Sequence, residues 1–314
     1  MPPTTRNMMT TSRIDHPINI YYREKFLRRT MPLMIHAMWG IEAPMPQHAG
    51  DTVKWRRYDS PTAQVVPLIE GEDPTPIMQG KTDLSATVRQ FGAWMKASSW
   101  LDLTGTNADA GQRTEWLADQ FRLTLDTLCR AVISGTASNT TCTNGDGTAT
   151  DFNETDIETM TEAMIGTEAR YFTRNIAAGT GQGTSPILPA FVGIAHTLLR
   201  NDFIAIPGFK YVNQYGSSAP ANPGELGSIS DVRISLTTNA YTASSNYYLT
   251  IIAEEAYGNV KIANADEMLI HKTAAQLNTP LNQYSTYGWK TTYACKILND
   301  NWIRALIGTR GSRA

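Results

Sequence analysis

Residues 109–134, DAGQRTEWLADQFRLTLDTLCRAVIS, constrain this chain more than any other stretch. Leu117, Phe121, Leu125, Leu128 and Val132 fall at steps of 4, 4, 3 and 4, the spacing of one face of an α-helix. No Pro or Gly interrupts Gln112 to Ser134. Asp109 and Gln112 have the spacing of a capping box, and Gly135 stands where a left-handed residue closes a helix. Roughly 24 residues at about 1.5 Å each make a rod on the order of 36 Å long. Strand and turn signals dominate elsewhere. The pattern therefore predicts an α+β chain, with a β-rich N-terminal part and a mixed C-terminal part docked on one spine.

The 314 residues could hold one elaborate domain or two ordinary ones, and 41% hydrophobic content suffices for a core. Only 18% are charged, which suits a surface that touches many neighbours. The net charge of −2 singles out no polyanion, but its distribution is uneven. Residues 1–30 carry six basic side chains against two acidic ones, a net of +4. Residues 101–200 carry 6 against 12, a net of −6. Arg304, Arg310 and Arg313 close the chain with no acid beside them. Opposite charge on different parts of one chain suits head-to-tail contact between copies.

Residues 1–19 read as an extended arm, with Pro2, Pro3 and His16-Pro17 opposing a helix. Residues 20–29 turn helical, and Pro32 ends that helix or starts a second short one over 31–40. Residues 50–98 read as a long β-hairpin. Its first strand is Asp51–Tyr58, with Val53, Trp55 and Arg57 on one face and Lys54, Arg56 and Tyr58 on the other. Its second runs from Leu84 to Met95. The connection holds four prolines and two glycines, with Glu70, Glu72 and Asp73 at its tip. A connection of that length is functional or is held by another chain.

Beyond the spine, 137–151 reads as a polar loop, and Thr155 with Glu158 as the capping box of a helix carrying Ile157, Met160 and Met164. Gly179 to Ser185 reads as a linker. Then come a strand over Ile187–Gly193, a short helix over His196–Asp202, a long loop over Tyr211–Gly227, and strands over Asp231–Thr237 and Tyr247–Ala253. Tyr287–Leu298 and Trp302–Ile307 read as a closing hairpin around Asn299-Asp300-Asn301.

Signs of chemistry are sparse. Gly179, Gly181 and Gly183 lack the final glycine of a dinucleotide loop, Thr184 standing there. His16, His36, His48, His196 and His271 are scattered, none within metal-ligand spacing of another His or Cys. His36 and His196 lie among apolar residues, which suits packed histidines. Cys129, Cys142 and Cys295 form no paired motif, so neither a metal site nor a disulfide framework is expected. Asp151, Glu154, Asp156, Glu158 and Glu162 could make a metal site, yet acids also favour a helix start. Trp55, Arg56, Arg57 and Tyr58 interleave bases and aromatics, but alternate faces of a strand split them. A contact between chains fits them better than nucleic acid. Neither a secretory signal nor a membrane span is expected, so the chain should be soluble and made in a reducing compartment.

Several stretches in order, YYREKFLRRTMPLMIHAMWG (21–40), GDTVKWRRYDSP (50–61), VVPLIEGEDPTP (65–76), TLDTLCRAVISGT (124–136), LLRNDF (198–203), PGELGSISDVR (223–233), AEEAYGNV (253–260) and GWKTTYACKILNDNWI (288–303), resemble the major capsid proteins of tailed bacteriophages with the Hong Kong 97 fold. They are most similar to the family typified by the N-four podovirus capsid protein. The resemblance implies a non-enzymatic shell subunit without a cofactor, assembled as hexamers and pentamers around double-stranded DNA in the virion. Portal, and scaffolding or decoration proteins, would be its other partners. By the resemblance, 1–49 is the N-terminal arm and 50–98 the extended loop reaching a neighbour. Residues 99–184 are the peripheral domain with its spine helix, 185–285 the axial domain, and 286–314 a hairpin returning to the peripheral domain. Arg23, Arg28, Arg29, Arg56, Arg57, Glu70, Glu72 and Asp73 become candidates for contacts between subunits. The cross-linking lysine and asparagine of the type member find no match. Two rival classes are an encapsulin-like compartment shell and a soluble enzyme using the acidic group.

Overall fold

A computed structural model describes residues 32, 34–104, 109–135, 139–142, 149–172, 189–214, 222–263, 267–277 and 280–311. The expected arm and its helix, with Arg23, Arg28 and Arg29, and the Gly179–Ser185 linker lie outside the described residues.

The first half carries β1 (Ile41–Met45), β2 (Thr52–Tyr58), β3 (Lys81–Thr87), β4 (Arg89–Ser98), α1 (Ser99–Thr104), α2 (Asp109–Ser134), β5 (Asn139–Thr141) and α3 (Glu154–Ile165). Then follow β6 (Phe191–His196), α4 (Arg200–Ala205), β7 (Lys210–Tyr211), β8 (Glu225–Ile229), β9 (Val232–Thr237) and β10 (Thr242–Ala243). The chain closes with β11 (Asn246–Ile252), β12 (Tyr257–Ile262), β13 (Glu267–Lys272), β14 (Tyr284–Ile297) and β15 (Ile303–Gly308).

The spine helix has the expected bounds, but its buried face is turned. Leu117, Phe121, Leu125, Cys129 and Ile133 are buried, while Leu128 and Val132 are half-buried. Steps of four overshoot the 3.6-residue turn, so this face winds slowly around the rod. It packs on a five-stranded sheet in the order β1-β12-β14-β13, with β4 also on β14. Phe121 meets Trp289 edge-on at 5.4 Å, and the Trp289 indole N–H donates to Gln120 Oε1 at 3.1 Å. Gly135 does not take a positive φ, so the helix ends without the left-handed residue the sequence suggested.

Residues 35–40 form a turn, not the expected short helix. The His36 amide donates to Asp126 Oδ1 at 2.8 Å, and its carbonyl accepts from the Tyr257 hydroxyl. Tertiary partners thus take the groups a helix would need. The expected second hairpin strand divides at Val88. β3 pairs with β2, whereas β4 leaves to pair with β14 from Arg89↔Tyr293 to Ser98↔Tyr284.

A second sheet of eight strands runs β5-β15-β11-β6-β9-β8-β7, with β10 on β11. Ile157, Met160 and Met164 of α3, with Phe203 of α4, bury against it as one cluster. The α3 cap is Asn153, two residues before the expected Thr155. Its Oδ1 accepts from the Asp156 amide at 2.7 Å and its Nδ2 donates to Asp156 Oδ2 at 2.9 Å, a closed box that Thr155 does not make. The expected strand at 187–193 overlaps β6 only over 191–193, its first two residues lying outside the described ones, and the helix over His196–Asp202 becomes a 3-10 turn running into α4. His196 Nδ1 caps that turn, accepting from the Leu198 amide at 3.1 Å. β5 lies within the expected polar loop, and β8 begins within the expected loop over 211–227.

β14 and β15 do not form the expected closing hairpin. A 3-10 turn, Asp300–Trp302, carries the chain from one sheet into the other, where β15 pairs with β11 and β5. Alternation shows a strand but not its partner. Four of the six β15 residues are buried, which suits a strand inside a sheet covered on both faces.

Candidate assembly interface

The β2–β3 hairpin is in register from Thr52↔Thr87 to Tyr58↔Lys81. Its base is fixed to the five-stranded sheet by Val53 and Trp55, which pack against Met45, Val88 and Val260. A Cβ on Gly258 would lie 3.0 Å from the Trp55 ring. Only a residue without a side chain lets the indole approach β12 so closely.

Beyond this base, every residue from 59 to 80 is exposed. The Asp59 amide bonds the Gly80 carbonyl at 3.1 Å, closing the ladder, and the Glu72 amide bonds the Ile69 carbonyl at 3.2 Å at the tip. Gly71, with φ +82°, supplies the left-handed third position of that tip turn. Glu70, Glu72 and Asp73 surround the turn as the sequence placed them, and none pairs with a cation among the described residues. Arg56 and Arg57 are already engaged within the subunit. Arg56 bridges to Asp83 across the hairpin at 2.8 Å, and this hydrogen bond holds the Asp83 carboxyl below its usual range. Arg57 donates to the Leu298 carbonyl at 3.3 Å, tying β2 to the segment after β14.

The stronger signal on this loop is apolar, and the charge pattern does not reveal it. Val65, Val66, Leu68, Ile69, Ile77 and Met78 all face solvent, with Val65 84% and Met78 93% exposed. Burying such side chains releases about 1.5–3 kcal/mol each, on the order of 10 kcal/mol together, whereas an exposed ion pair contributes at most about 1 kcal/mol. Apolar contact therefore outweighs charge on this loop. The sequence did show it, as VVPLI and PIM between prolines that cannot donate to a sheet. A further exposed aromatic surface lies along the pairing of β4 with β14. Trp94 is 66% exposed beside a groove of about 570 Å³ that Ile270, Lys272, Tyr284 and Gly288 help to line.

Buried polar chemistry sits under the spine. Asp126 accepts from the His36 amide, from the Asn239 side chain at 2.6 Å, and contacts His36 Nδ1 at 2.9 Å. Arg130 holds the Asn239 carbonyl at 3.0 Å. Burial alone would raise the Asp126 carboxyl, but the bond and charge of His36, aided by Asn239, outweigh it and leave the group lowered. His36 is packed, as its apolar neighbours in sequence suggested. His196 is held below its usual pKa by burial.

The five acids do not converge. Asp151 accepts from the Thr309 hydroxyl at 3.2 Å, Asp156 closes the α3 cap, and Glu158 accepts from Ser230 at 3.0 Å. Among the described residues no three His, Cys, Asp or Glu side chains gather as a metal would require. No described helix is long and apolar enough to cross a membrane.

No family model matches the sequence, and neither does any curated protein. Solved structures do match. The capsid of cyanophage P-SCSP1u superposes with a TM-score of 0.66 at 10% identity, over 99% of this chain and 99% of that one. The capsid of Ralstonia phage GP4 gives 0.63 at 10% identity, over 95% and 97%. The head of Helicobacter pylori bacteriophage KHP40 gives 0.62 at 11% identity, over 97% and 98%. The chain has the Hong Kong 97-type fold, with mixed helix and sheet.

Proposed function

We propose that this chain is a major capsid protein, whose copies close as hexamers and pentamers into the icosahedral shell of a tailed phage around its double-stranded DNA. End-to-end likeness to phage capsids supports the reading. The observation that carries it is the loop over 59–80, fully exposed and bearing six large apolar side chains. A soluble subunit that leaves such a patch uncovered has a partner for it, and a closed lattice supplies one in every neighbouring copy.

On this reading 1–49 is the arm, and the extended loop of 50–98 projects as the β2–β3 hairpin, its last strand β4 being held on β14. Residues 99–184, with the spine helix, are the peripheral domain, and the five-stranded sheet under the spine is supplied from outside that range, by β1, β4, β12, β13 and β14. The eight-stranded sheet is chiefly the axial domain of 185–285. Residues 286–314 serve both, because β14 lies in one sheet and β15 in the other. Glu70, Glu72 and Asp73 select the register of the loop on its neighbour, with Arg23, Arg28 and Arg29 of the arm as basic partners. Arg56 and Arg57 stiffen the hairpin first and reach a neighbour second. The N-four podovirus family is the finer placement. Portal, scaffolding or decoration proteins complete the particle, and no step of this role needs catalysis.

Replacing Val65, Val66, Leu68 and Ile69 together by Ser tests the loop. The variant should keep the circular dichroism and thermal midpoint of the parent subunit while its shell yield collapses. Shells at the parental yield would remove the loop from the lattice. An unfolded variant would show that the loop belongs to the subunit's own core.

A further inference from the structure

Cys129 of α2 and Cys295 of β14, 166 residues apart in sequence, bring their sulfur atoms to 3.5 Å. Both are free thiols. Cys129 is fully buried, and Cys295 is half-buried beside it in the same cluster. Cys142, the third cysteine, lies in the other core cluster with Phe152 and Ile157 and cannot compete. A disulfide needs the sulfur atoms at about 2.05 Å, so the two have roughly 1.5 Å left to close. Closing that gap strands no hydrogen-bond partner. The Cys129 thiol donates to the His36 carbonyl at 3.1 Å, but that carbonyl also holds the Tyr257 hydroxyl. Losing the thiol leaves no orphaned acceptor.

We propose that Cys129 and Cys295 form a covalent cross-linking site, which a small-molecule disulfide closes into an intrachain staple between the spine helix and the central strand. Cys295, the more accessible sulfur, attacks the disulfide as its thiolate. The S–S bond of the oxidant breaks, one small thiolate leaves, and a mixed disulfide remains on Cys295. Cys129, deprotonated, then attacks the Cys295 sulfur and expels the second thiolate. The two cysteines are oxidised together, the oxidant is reduced to two small thiols, and the protons lost by the cysteines are taken up by those products.

Burial raises the Cys129 thiol well above its ordinary pKa, and contact with Cys295 adds to the shift. The second step is therefore slow at neutral pH and quickens as pH rises. In a reducing compartment the pair stays open, and after release to oxidising surroundings it closes. A link across 166 residues restricts the unfolded chain, so it stabilises the subunit in the layer that joins helix to sheet. The inference stands on the sulfur geometry and does not depend on the assembly reading.

The test treats the full chain with oxidised glutathione at about pH 8, then denatures it and labels it with N-ethylmaleimide for intact mass and peptide mapping. The expected product carries one label, on Cys142, together with a peptide pair joined through Cys129 and Cys295. Its thermal midpoint should rise and return on reduction. Cys295→Ala should keep two labels and a midpoint that the oxidant does not move. Three labels on the oxidised parent would overturn the proposal. So would glutathione left as a mixed disulfide on Cys295, or linkage only between chains. The labelling pattern of the parent decides the matter even where the variant fails to fold.

Discussion

Asp126 is the residue on which the spine's polar side depends. It is a buried carboxylate on a helix, one position from Leu125, held by His36 and Asn239. Replacing Asp126 by Ala strands those donors and should cost about 1–3 kcal/mol in urea unfolding at neutral pH. The pH dependence has a definite sign. The folded carboxyl is lowered, so its stabilisation is complete above the unfolded value of about 3.9. It is lost as pH falls from there through the folded value. Asp126→Asn should flatten that acid limb, and an unchanged acid limb in the variant would remove Asp126 from the account. Gly258 is the complementary case on the apolar side. A Val there would press on Trp55 and Leu298, at a cost of about 1–3 kcal/mol, and hydrogen exchange of β2 should speed up selectively. Neither residue was legible in the sequence. An Asp on an amphipathic helix reads as solvated, and a lone Gly gives no sign of the indole that will lie on it.

At the scale of elements, local signals were legible and partners were not. The bounds of α2 follow from an uninterrupted periodic run, and the apolar residues of α3 fall where its spacing put them. The buried face of α2 slipped by one residue at its C-terminal end because Leu128 and Val132 outrank Cys129 in hydrophobicity, while the sheet favours a step of four. Residues 35–40 had helical composition, yet bonds to Asp126 and Tyr257 took their backbone. β14 and β15 were recognised as strands and wrongly joined, since the 3-10 turn between them changes sheets. Leu125 lies on the buried face under either assignment. Leu125→Asp should cost several kcal/mol by burying an unpaired charge and abolish soluble assembly. Normal particles from that variant would mean that the spine does not bear on the sheet as described.

At the scale of the whole molecule, the described residues form three buried clusters, the smallest under the base of the hairpin, and one exposed loop with no core of its own. The loop was legible as something held by another chain, from its length and prolines. Its acids drew attention first, whereas its apolar residues carry most of the available free energy. The central claim is that many copies cover each other's loops. Electron microscopy of the purified full-length protein tests this directly. The account predicts closed icosahedral shells built of hexamers and pentamers, with density for residues 59–80 of each copy resting on a neighbour. A protein that stays monomeric under every assembly condition, or shells in which that loop touches no other copy, would contradict it.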